Sequence, residues 1–517
     1  MKKIKLIYID PPYNTGKDFV YSDDYADNLH NYLKISGQVS ESEEDSSISR
    51  LVLTSNPESA GRYHSNWLNM MYPRLKLARN LLTNDGVIFI SIDDSEEFNL
   101  KKLCDEIFGE SNFICNFVRK NKSGSGHDSK NIAIEFDYIL CYAKNIEEVK
   151  INQEPVNVDN DPKYKLSDDF VEKRGKYYLR DLDYTGSYSE KMDYPIKTPD
   201  GSIIYSGGKK GKPNTWRWSE PKFKWGLENH FIEFKKRNND WKVYIKQYQF
   251  VDNNNKPYIR ENPYRALIDF SNGKGSNDFN EIMEKNVFSF PKPLDLIEFI
   301  QKVGSNNDSI ILDFFGGSSS TAHSVLKLNA EENNNRRFIL VQVPEATDEK
   351  SEAYSEGYKN ICEIGKERIR RAGDKIVKET GNTDLDIGFK VFKLDSSNLE
   401  KWDPDYNNIQ QSLTVNQIKK DRTNDDLIYE IMLKYGINLT YPIKPKGDNI
   451  YSVGYGALII CLNNNITKEI AEEVLALAKK SSVSRVVFKD SGFASDADKT
   501  NIKEILKVNN IDEFITI

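Results

Sequence analysis

Cysteine and histidine are scarce in this sequence, and neither is spaced as a disulfide framework or a metal site requires. The five cysteines are Cys104, Cys115, Cys141, Cys362 and Cys461. They are odd in number and form no CxxC pair, which argues against disulfide bonding and against a zinc ribbon. The five histidines form no HExxH pair. We therefore expect reduced, packed thiols, no bound metal and a cytoplasmic protein.

Long hydrophobic runs are missing as well. No stretch approaches the ~18 consecutive apolar residues of a membrane helix. The apolar start of the chain ends at Ile9, which is too short for a signal peptide, so we expect no membrane association. The 517 residues are 38% hydrophobic. That is enough to build cores, and at ~150 residues per domain the length predicts about three domains.

A net excess of positive charge is lacking overall but present locally. The formal net charge is −7, which by itself argues against a nucleic-acid ligand. Between Gly207 and Arg265, however, 14 lysines and arginines face 6 aspartates and glutamates, a balance of +8, and the same stretch is rich in aromatic residues. A basic, aromatic segment within an acidic chain is typical of a module that binds nucleic-acid phosphates.

Strands and helices are predicted to alternate at both ends of the chain, which indicates a parallel α/β sheet with crossovers. Predicted strands cover 4–9, 87–92, 113–119, 138–142, 309–313 and 338–343, and predicted helices cover 67–82, 98–108, 294–303, 321–328, 354–371 and 425–435. The middle of the chain lacks helical periodicity and predicts an inserted domain that is largely β or irregular. An acidic stretch, 36–49, predicts a mobile loop. The predicted domains are 1–152, 153–284, 285–383 and 384–517, the last a small α/β domain.

Two strand ends carry the chemistry, because open α/β sheets bind ligands at the carboxyl ends of their strands. The first is Asp10-Pro11-Pro12-Tyr13, directly after the first predicted strand. The prolines fix the backbone, so the carboxylate, the Pro11 carbonyl and the ring are held rigidly. These groups suit a planar base with an amino group, whose hydrogens the oxygens accept while the ring stacks. An ordinary Asp-Pro turn is the alternative.

The second strand end is a Gly/Ser-rich turn, 313–321, between a predicted strand and a predicted helix. It is not a Walker A motif and matches GxGxxG poorly. Glu345 follows the next predicted strand, where an acid can accept from ribose hydroxyls. This combination, without phosphate-binding charge, indicates a nucleoside cofactor lacking phosphates, such as S-adenosylmethionine. For Glu345 a solvated loop acid is the alternative.

These motifs and their order resemble the modification (Mod) subunits of type III restriction–modification systems, which are β-class DNA adenine-N6 methyltransferases. The matching stretches are 6–18, 56–94, 290–297, 311–325, 338–345, 387–394 and 487–494. The resemblance implies the α/β fold of class I S-adenosylmethionine-dependent methyltransferases, with a Rossmann-like, mostly parallel mixed sheet. Residues 1–152 and 285–383 would form the two parts of this core, and 153–284 an inserted target-recognition domain. The substrate it implies is double-stranded DNA with a flipped adenine.

The resemblance also assigns roles residue by residue. It makes Asp10, Pro11, Pro12 and Tyr13 the catalytic motif. The cofactor-binding residues that it implies are Phe290, Lys292, Pro293, Asp313, Phe314, Gly316, Gly317, Ser318, Thr321 and Glu345. One departure is Ser319, where the family pattern has glycine. The other is at the front, where the family carries a long segment before the catalytic motif. We expect one wall of the pocket to be missing, through a truncated gene, a misassigned start or a separately encoded piece.

DNA recognition is assigned to the inserted region, although most of its aromatic residues are expected to form that domain's own core. The candidates for DNA contact are Arg217, Lys235, Lys236 and Arg237. The family resemblance implies a homodimer that binds a separate helicase–endonuclease (Res) subunit. The C-terminal domain and the amphipathic helix near Leu427 are therefore expected to form an assembly surface. Packing of that helix within its own domain is the equal alternative.

Two other functions stay open. A cytosine-N4 methyltransferase of the same class is possible, although that activity more typically has Ser in place of Asp10. A catalytically inactive DNA-recognition subunit, lacking part of the pocket, would bind DNA with a steep salt dependence but would bind no cofactor.

Overall fold

A computed structural model describes residues 3–15, 19–21, 53–55, 63–122, 132–399, 418–480, 485–511 and 513–517. The predicted loop 36–49 lies outside these residues. The chain divides into two compact units, Met1–Ile387 and Gly388–Ile517. Within the described ranges, none of the helices has the length and apolar character that crossing a bilayer requires.

The first unit contains a large sheet, several small sheets and the helices that cover them. Its first elements are β1 (Ile4–Ile9), β2 (Phe19–Tyr21), β3 (Leu53–Ser55), α1 (Tyr63–Leu81), β4 (Leu82–Ile92), α2 (Glu97–Phe108), β5 (Phe113–Lys120) and β6 (Phe136–Ala143). The next are β7 (Glu154–Pro155), α3 (Val171–Arg174), β8 (Tyr177–Asp181), β9 (Asp183–Thr185), β10 (Ile196–Lys197), β11 (Ile203–Ile204), β12 (Asn214–Trp216), α4 (Glu220–Glu228), β13 (Ile232–Arg237), β14 (Asp240–Tyr248), β15 (Glu261–Asn262), β16 (Leu267–Asp269) and α5 (Asn272–Met283). The last are α6 (Leu294–Gly304), β17 (Ile310–Asp313), α7 (Ser320–Glu332), β18 (Arg337–Leu340), α8 (Glu352–Ser355) and α9 (Ile361–Thr380).

The large sheet has seven described strands in the order β16–β5–β6–β4–β1–β17–β18. All neighbours are parallel except β6, which runs antiparallel to both β4 and β5. The predicted class, a mixed and mostly parallel Rossmann-like sheet, is confirmed.

Helices cover both faces of this sheet, which explains why its central strand is apolar throughout. All six residues of β1 are buried. Ile7 and Ile9 belong to the core formed with α1 and α2, whereas Leu6 and Tyr8 belong to the core formed with α6. Because β1, β4 and β17 are parallel neighbours, the segments that follow them leave the sheet at one edge.

The middle of the chain forms a smaller core of its own around the antiparallel sheet β13–β14–β8. Its buried members include Tyr177, Trp216, Trp218, Phe223, Phe231 and Tyr248. Most of the aromatic residues of this region therefore pack as a core, as expected. The prediction that helices are absent here is wrong, since α4 and α5 lie in this stretch.

Helix α5 was missed because its sequence, which includes Gly273 and Gly275, has low helix propensity. Packing compensates, since Phe279, Ile282 and Met283 are buried in a core shared with Ile364 of α9. The preceding strand, β16, pairs with β5 at the edge of the large sheet. We therefore propose that the sheet domain resumes near Leu267, upstream of the expected boundary at 284/285.

The helix predicted over 354–371 is two helices in the structure. Gly357 has φ +90°, a conformation that breaks a helix and that glycine adopts most readily. Asn360 then caps α9, because its side chain accepts a hydrogen bond from the Glu363 backbone N–H at 3.2 Å.

The second unit contains a sheet of five described strands that is covered on both faces. Its elements are α10 (Asn424–Lys434), β19 (Ile443–Gly447), β20 (Ile450–Val453), β21 (Leu458–Cys461), α11 (Lys468–Lys480), β22 (Arg485–Phe488), α12 (Asp496–Val508) and β23 (Glu513–Thr516). Helices α11 and α12 share a core with one face. Leu427, Ile428 and Ile431 of α10 are buried with Leu458 and Val487 of the sheet. The apolar face of that helix is therefore covered within its own unit, the alternative that the sequence left open.

Candidate active site

The two strand ends predicted to carry chemistry are neighbours. β1 and β17 pair in parallel with Ile7 beside Leu312, so Asp10 and Asp313 follow at the same edge of the sheet. Tyr13, Phe314 and Phe315 pack against the same hydrophobic core. The predicted catalytic motif and the predicted cofactor turn therefore lie side by side at one edge of the sheet, and the space between them is called the cleft below.

A second cavity lies elsewhere and carries none of the predicted site residues. It is a wide groove of about 1440 Å³ at the opposite edge of the sheet, lined by Lys5, Asp85 and Arg336 among others. The predicted site residues lie instead at the carboxyl ends of the strands.

The turn after β1 is fixed by donors from α1 and by its own unusual backbone. The indole N–H of Trp67 donates to the Pro12 carbonyl at 2.7 Å, and the hydroxyl of Tyr63 donates to the Asn14 carbonyl. Asn14 is buried and has φ +61°, a left-handed conformation that asparagine tolerates better than most residues. These contacts hold Tyr13 between two anchored neighbours.

A buried carboxylate, Glu96, holds Asn14 from the adjacent strand end. Its Oε1 accepts from the Asn14 amide at 2.6 Å and lies 2.6 Å from His64 Nδ1, and its Oε2 accepts from the Asn99 amide at 2.8 Å. Sequence reasoning missed Glu96. The signal was present, because Glu96 follows β4, the parallel neighbour of β1, at the ligand-binding edge.

Lys292 lies on the catalytic motif. Its Nζ is 3.0 Å from Asp10 Oδ1 and donates to the Tyr13 hydroxyl at 2.6 Å. The Lys292 and Asp10 side chains are 14% and 28% exposed. Asp10 Oδ1 is buried and, within the described residues, receives no well-aligned hydrogen bond in spite of this ion pair. This carboxylate oxygen therefore keeps hydrogen-bonding capacity beyond its ion pair with Lys292.

Burial keeps the phenols of this region neutral. It raises the pKa of Tyr13 well above its ordinary value, and the charge of Asp10 raises it further. The pKa of Tyr8 is raised in the same way by burial and then by Asp10, while its hydroxyl lies 3.0 Å from that of Ser91. A neutral Tyr13 can accept from Lys292 and present an uncharged face to a ring.

A buried ion pair on β5 and β6 is close enough for its charges to act on Tyr13. Arg119 and Asp137 are cross-strand partners on β5 and β6, and Arg119 Nε donates to Asp137 Oδ1 at 2.6 Å. The charges of both residues act on the ionisation of Tyr13. This pair was not singled out in the sequence, because only the sheet order brings it to the tip of β1.

The cofactor turn is closed around Asp313. Its Oδ1 accepts from the Phe315 backbone N–H at 3.0 Å, and its Oδ2 accepts from the Thr321 hydroxyl at 2.7 Å. Burial raises the pKa of Asp313 to about 7, these two hydrogen bonds oppose the rise, and the charge of Asp10 adds to it. Asp313 and Thr321 therefore shape the turn from within.

The glycines and serines of the turn follow a sharply bent path. Gly317 has φ +48° and Ser319 has φ +63°. The Gly317 N–H donates to the side chain of Gln342 at 2.7 Å, and the Gly316 N–H donates to the Val341 carbonyl at 3.2 Å. A Cβ placed on Gly316 would be in ordinary van der Waals contact with Leu340 at 3.5 Å, so the glycine leaves free only the volume of a side chain there.

Arg368 of α9 supports the turn from below. It is fully buried, and its Nη1 donates to the hydroxyls of Ser318 at 2.9 Å and Ser320 at 2.7 Å. Burial lowers the pKa of Arg368 to about 10. Gly365 permits this contact between helix and turn, since a Cβ there would lie 2.5 Å from the Ser319 hydroxyl.

The remaining predicted cofactor residues differ in their exposure. Glu345 is half-buried, and its carbonyl accepts from the Ile361 N–H at 3.0 Å at the start of α9. Phe290 is 89% exposed, with φ +56°. The structure therefore brings Asp10, Tyr13 and Lys292 together at the cleft and leaves the Phe290 ring in solvent.

The residues predicted to contact DNA lie in the middle region. Lys235, Lys236 and Arg237 end strand β13, next to a tight turn at Asn238 and Asn239. Cross-strand pairing sets Lys235 and Arg237 on one face and Lys236 on the other, where it lies 3.4 Å from Asp200. Arg217 is half-buried, and its Nε donates to the Asp181 carbonyl at 3.0 Å.

Comparison with known proteins gives a consistent family. A family model for DNA methylases of the N6/N4 type matches residues 4–372. The chain is 35% identical over 398 residues to the StyLTI Mod subunit, a type III restriction–modification protein of Salmonella typhimurium, which covers 76% of this chain and 57% of that relative. It is 31% identical over 557 residues to the EcoP15I Mod subunit of Escherichia coli, covering 98% of this chain and 80% of the relative. Among solved structures, the PvuII cytosine-N4-specific DNA methyltransferase aligns over 72% of this chain and 86% of its own, at 12% identity and a TM-score of 0.33.

Proposed function

The chain belongs to the N6/N4 family of DNA methylases, and from this premise we propose that it methylates N6 of adenine in DNA as the Mod subunit of a type III restriction–modification system. DNA is its substrate and S-adenosylmethionine its methyl donor. The observation that carries the proposal is the juxtaposition of Asp10 and Tyr13 with the turn at 313–321 across one cleft.

The residues of the turn fit S-adenosylmethionine. This cofactor carries no phosphate, so it needs no cluster of lysines or arginines, and the turn presents none to the cleft. The missing side chain of Gly316 leaves its backbone uncovered on the side where a Cβ would contact Leu340 and Gln342. We propose that Gly316, Gly317, Phe314 and Glu345 contact the cofactor. Asp313, Ser318 and Thr321 would hold the turn in shape, since their side chains are already bonded within it.

The catalytic motif supplies orientation and charge. S-adenosylmethionine, when bound, offers an electrophilic methyl group on a sulfonium. The amino nitrogen of adenine is a poor nucleophile because its lone pair is delocalised into the ring. Asp10 Oδ1, a buried acceptor with unused capacity, and the Pro11 carbonyl would accept the two amino hydrogens, while Tyr13 stacks on a base flipped out of the duplex. The lone pair is then free to form the N–C bond as the C–S bond breaks, and Asp10 is placed to take the released proton. Positioning of this kind contributes ~7–11 kcal/mol to catalysis.

We also propose the assembly that the family resemblance implies. It is a cytoplasmic homodimer that associates with a separate Res helicase–endonuclease subunit. The middle region, with its exposed basic hairpin at 235–237, would position the duplex through phosphate contacts.

The test is to identify the methylated base. Purified protein is incubated with methyl-labelled S-adenosylmethionine and duplex DNA, the DNA is digested to nucleosides, and the labelled nucleoside is identified by mass spectrometry. N6-methyldeoxyadenosine in the parent, and its loss in Asp10→Ala and Tyr13→Ala, would support the proposal. Labelled N4-methyldeoxycytidine would replace it with the cytosine activity. DNA binding without labelling or cofactor binding would identify a recognition subunit without catalysis.

A further inference from the structure

Lys292 touches both motifs of the cleft. Its ammonium contacts Asp10 at 3.0 Å and Tyr13 at 2.6 Å. Its main-chain carbonyl accepts a hydrogen bond from the Ser320 hydroxyl at 3.3 Å, and Ser320 is the first residue of α7, directly after the cofactor turn. One residue thus joins the base-binding side to the cofactor-binding side.

The backbone of Lys292 has little freedom to move independently of these contacts. Gly275 of α5 packs directly on it, since a Cβ at Gly275 would lie 2.1 Å from the Pro291 carbonyl and 3.0 Å from the carbonyl carbon of Lys292. The Asp278 carboxylate accepts from the Leu294 N–H at 3.0 Å. The segment 291–294 is therefore clamped to α5, and a shift of the cofactor turn would be transmitted to the Lys292 side chain.

Ser320 is itself held by a buried cation. Arg368 Nη1 donates to its hydroxyl at 2.7 Å, which leaves the hydroxyl proton for Lys292. A continuous series of polar contacts therefore leads from α9 through the cofactor turn to Asp10 and Tyr13.

Resting on the proposed function, we propose that Lys292 is a positioning residue that couples occupancy of the cofactor turn to the placement of Asp10 and Tyr13. The Lys292 ammonium and the adenine amino group seek the same oxygen, Asp10 Oδ1. Lys292 must therefore give up part of its contact with Asp10 when the base enters. Its hydrogen bond to the Tyr13 hydroxyl meanwhile keeps that ring in position. A cofactor that orders the turn fixes the lysine beforehand, so cofactor and base each favour binding of the other. Such linkage is reciprocal.

The experiment measures this linkage directly. The affinity for S-adenosylhomocysteine is determined by calorimetry with and without a saturating DNA duplex, for the parent and for Lys292→Met, Lys292→Arg and Ser320→Ala. Lys101→Met is the matched control, because Lys101 is a partly buried lysine that pairs with Asp105 within α2 and contacts neither Asp10 nor the segment 291–294. Single-turnover methyl transfer is measured on the same proteins.

We expect DNA to tighten S-adenosylhomocysteine binding by roughly 5–150-fold in the parent, the usual range for coupled sites. Lys292→Met should bring this factor close to one, with affinity in the absence of DNA changed less than about threefold, and should slow methyl transfer. Lys292→Arg should recover most of the coupling, Ser320→Ala should lose part of it, and Lys101→Met should match the parent.

Three results would overturn the inference while leaving the proposed function intact. The first is a coupling factor in Lys292→Met equal to that of the parent. The second is an equal loss of S-adenosylhomocysteine affinity with and without DNA, which would make Lys292 a plain cofactor ligand. The third is the absence of coupling in a parent protein that methylates adenine. A parent that methylates no adenine would instead contradict the proposed function. Should Lys292→Met fail to fold, Lys292→Arg and Ser320→Ala decide by the same factor.

Discussion

The ionisation of Asp313 should be measurable in the stability of the protein. This carboxyl is 3% exposed and lies in the closed turn after β17. Its pKa is raised to about 7 by burial, against the effect of the Thr321 and Phe315 hydrogen bonds and with a further contribution from the charge of Asp10. Replacing it by asparagine keeps the shape of the side chain and removes the titration.

The sign of the effect follows from where the proton is bound. In the unfolded chain an aspartate releases its proton near pH ~3.9, whereas the folded protein retains it up to about pH 7. The folded state therefore binds more protons across this window, and its stability falls as the pH rises from ~4 to 7. A difference of roughly three units, at ~1.36 kcal/mol each, corresponds to about 4 kcal/mol lost above pH 7 relative to pH 4.

Asp313→Asn should escape this loss. Its amide oxygen can still accept from the Phe315 N–H, and its NH₂ can donate to the Thr321 hydroxyl, so the turn should persist. We expect the variant to gain about 2–4 kcal/mol of unfolding free energy relative to the parent between pH 5 and pH 8. The gain should appear as a difference in melting temperature that widens with pH.

Thermal unfolding without cofactor, at half-unit pH steps from 5 to 8, measures this difference. Asp308→Asn, an exposed residue just before β17, controls for the loss of one negative charge. A difference between Asp313→Asn and the parent that stays constant with pH, or that narrows toward pH 8, would refute the reasoning. So would a control that follows the same trend.

Three further predictions concern the turns and the hairpin. Ser319→Gly should leave the unfolding free energy unchanged or raise it by up to ~1 kcal/mol. It relieves a φ of +63° that costs a non-glycine residue ~1–2 kcal/mol, but it adds ~0.5–1 kcal/mol of chain entropy to the unfolded state. Denaturant melts in which Ser319→Ala is as stable as Ser319→Gly, or more stable, would contradict this prediction. Glu96→Gln places an amide donor among the donors of Asn14, His64 and Asn99, which should lower the unfolding free energy by about 1.5–3 kcal/mol. In steady-state kinetics the variant should lower kcat more than it raises KM for DNA. An unchanged kcat would contradict the prediction. The double variant Lys235→Ala/Arg237→Ala should weaken binding to all duplexes. In fluorescence-anisotropy titrations it should also reduce the slope of log K against log salt by ~0.9 for each phosphate that it no longer neutralises. The control Lys479→Ala/Lys480→Ala on α11 should change neither, and equal slopes for parent and hairpin variant would show that the hairpin does not contact DNA.

Local sequence was sufficient to predict the strands that build the cleft. The uninterrupted apolar run of β1, its stop at Asp10-Pro11, and the Gly/Ser turn after β17 are short-range patterns, and the rule for parallel sheets placed both at one edge. Their direct pairing required only that β1 and β17 be adjacent. Such features depend on neighbours in the chain and on strand geometry, so a single sequence contains them.

The contacts of Lys292 could not be predicted from local sequence. Its partners Tyr13 and Asp10 lie some 280 positions earlier in the chain, and the motif around it suggested a cofactor contact. Its place on the catalytic motif depends on the clamp from Gly275, in a helix that propensity did not predict. A residue placed by long-range packing of a weak helix leaves no periodic signal in the sequence.

The electrostatics of the cleft explain why a lysine belongs there. Asp10 and Asp313 lie on neighbouring strand tips, and repulsion from the charge of Asp10 raises the pKa of Asp313. The proposed function needs Asp10 as an acceptor of amino hydrogens. Protonation of Asp313 near neutral pH, together with its bonds to the turn, relieves the repulsion from one side. The Lys292 ammonium relieves it from the other without a full hydrogen bond to Asp10 Oδ1. In the proposed function the entering base replaces part of this ion pair. A proton on Asp313 and the ammonium of Lys292 together offset the negative charge of the site until then.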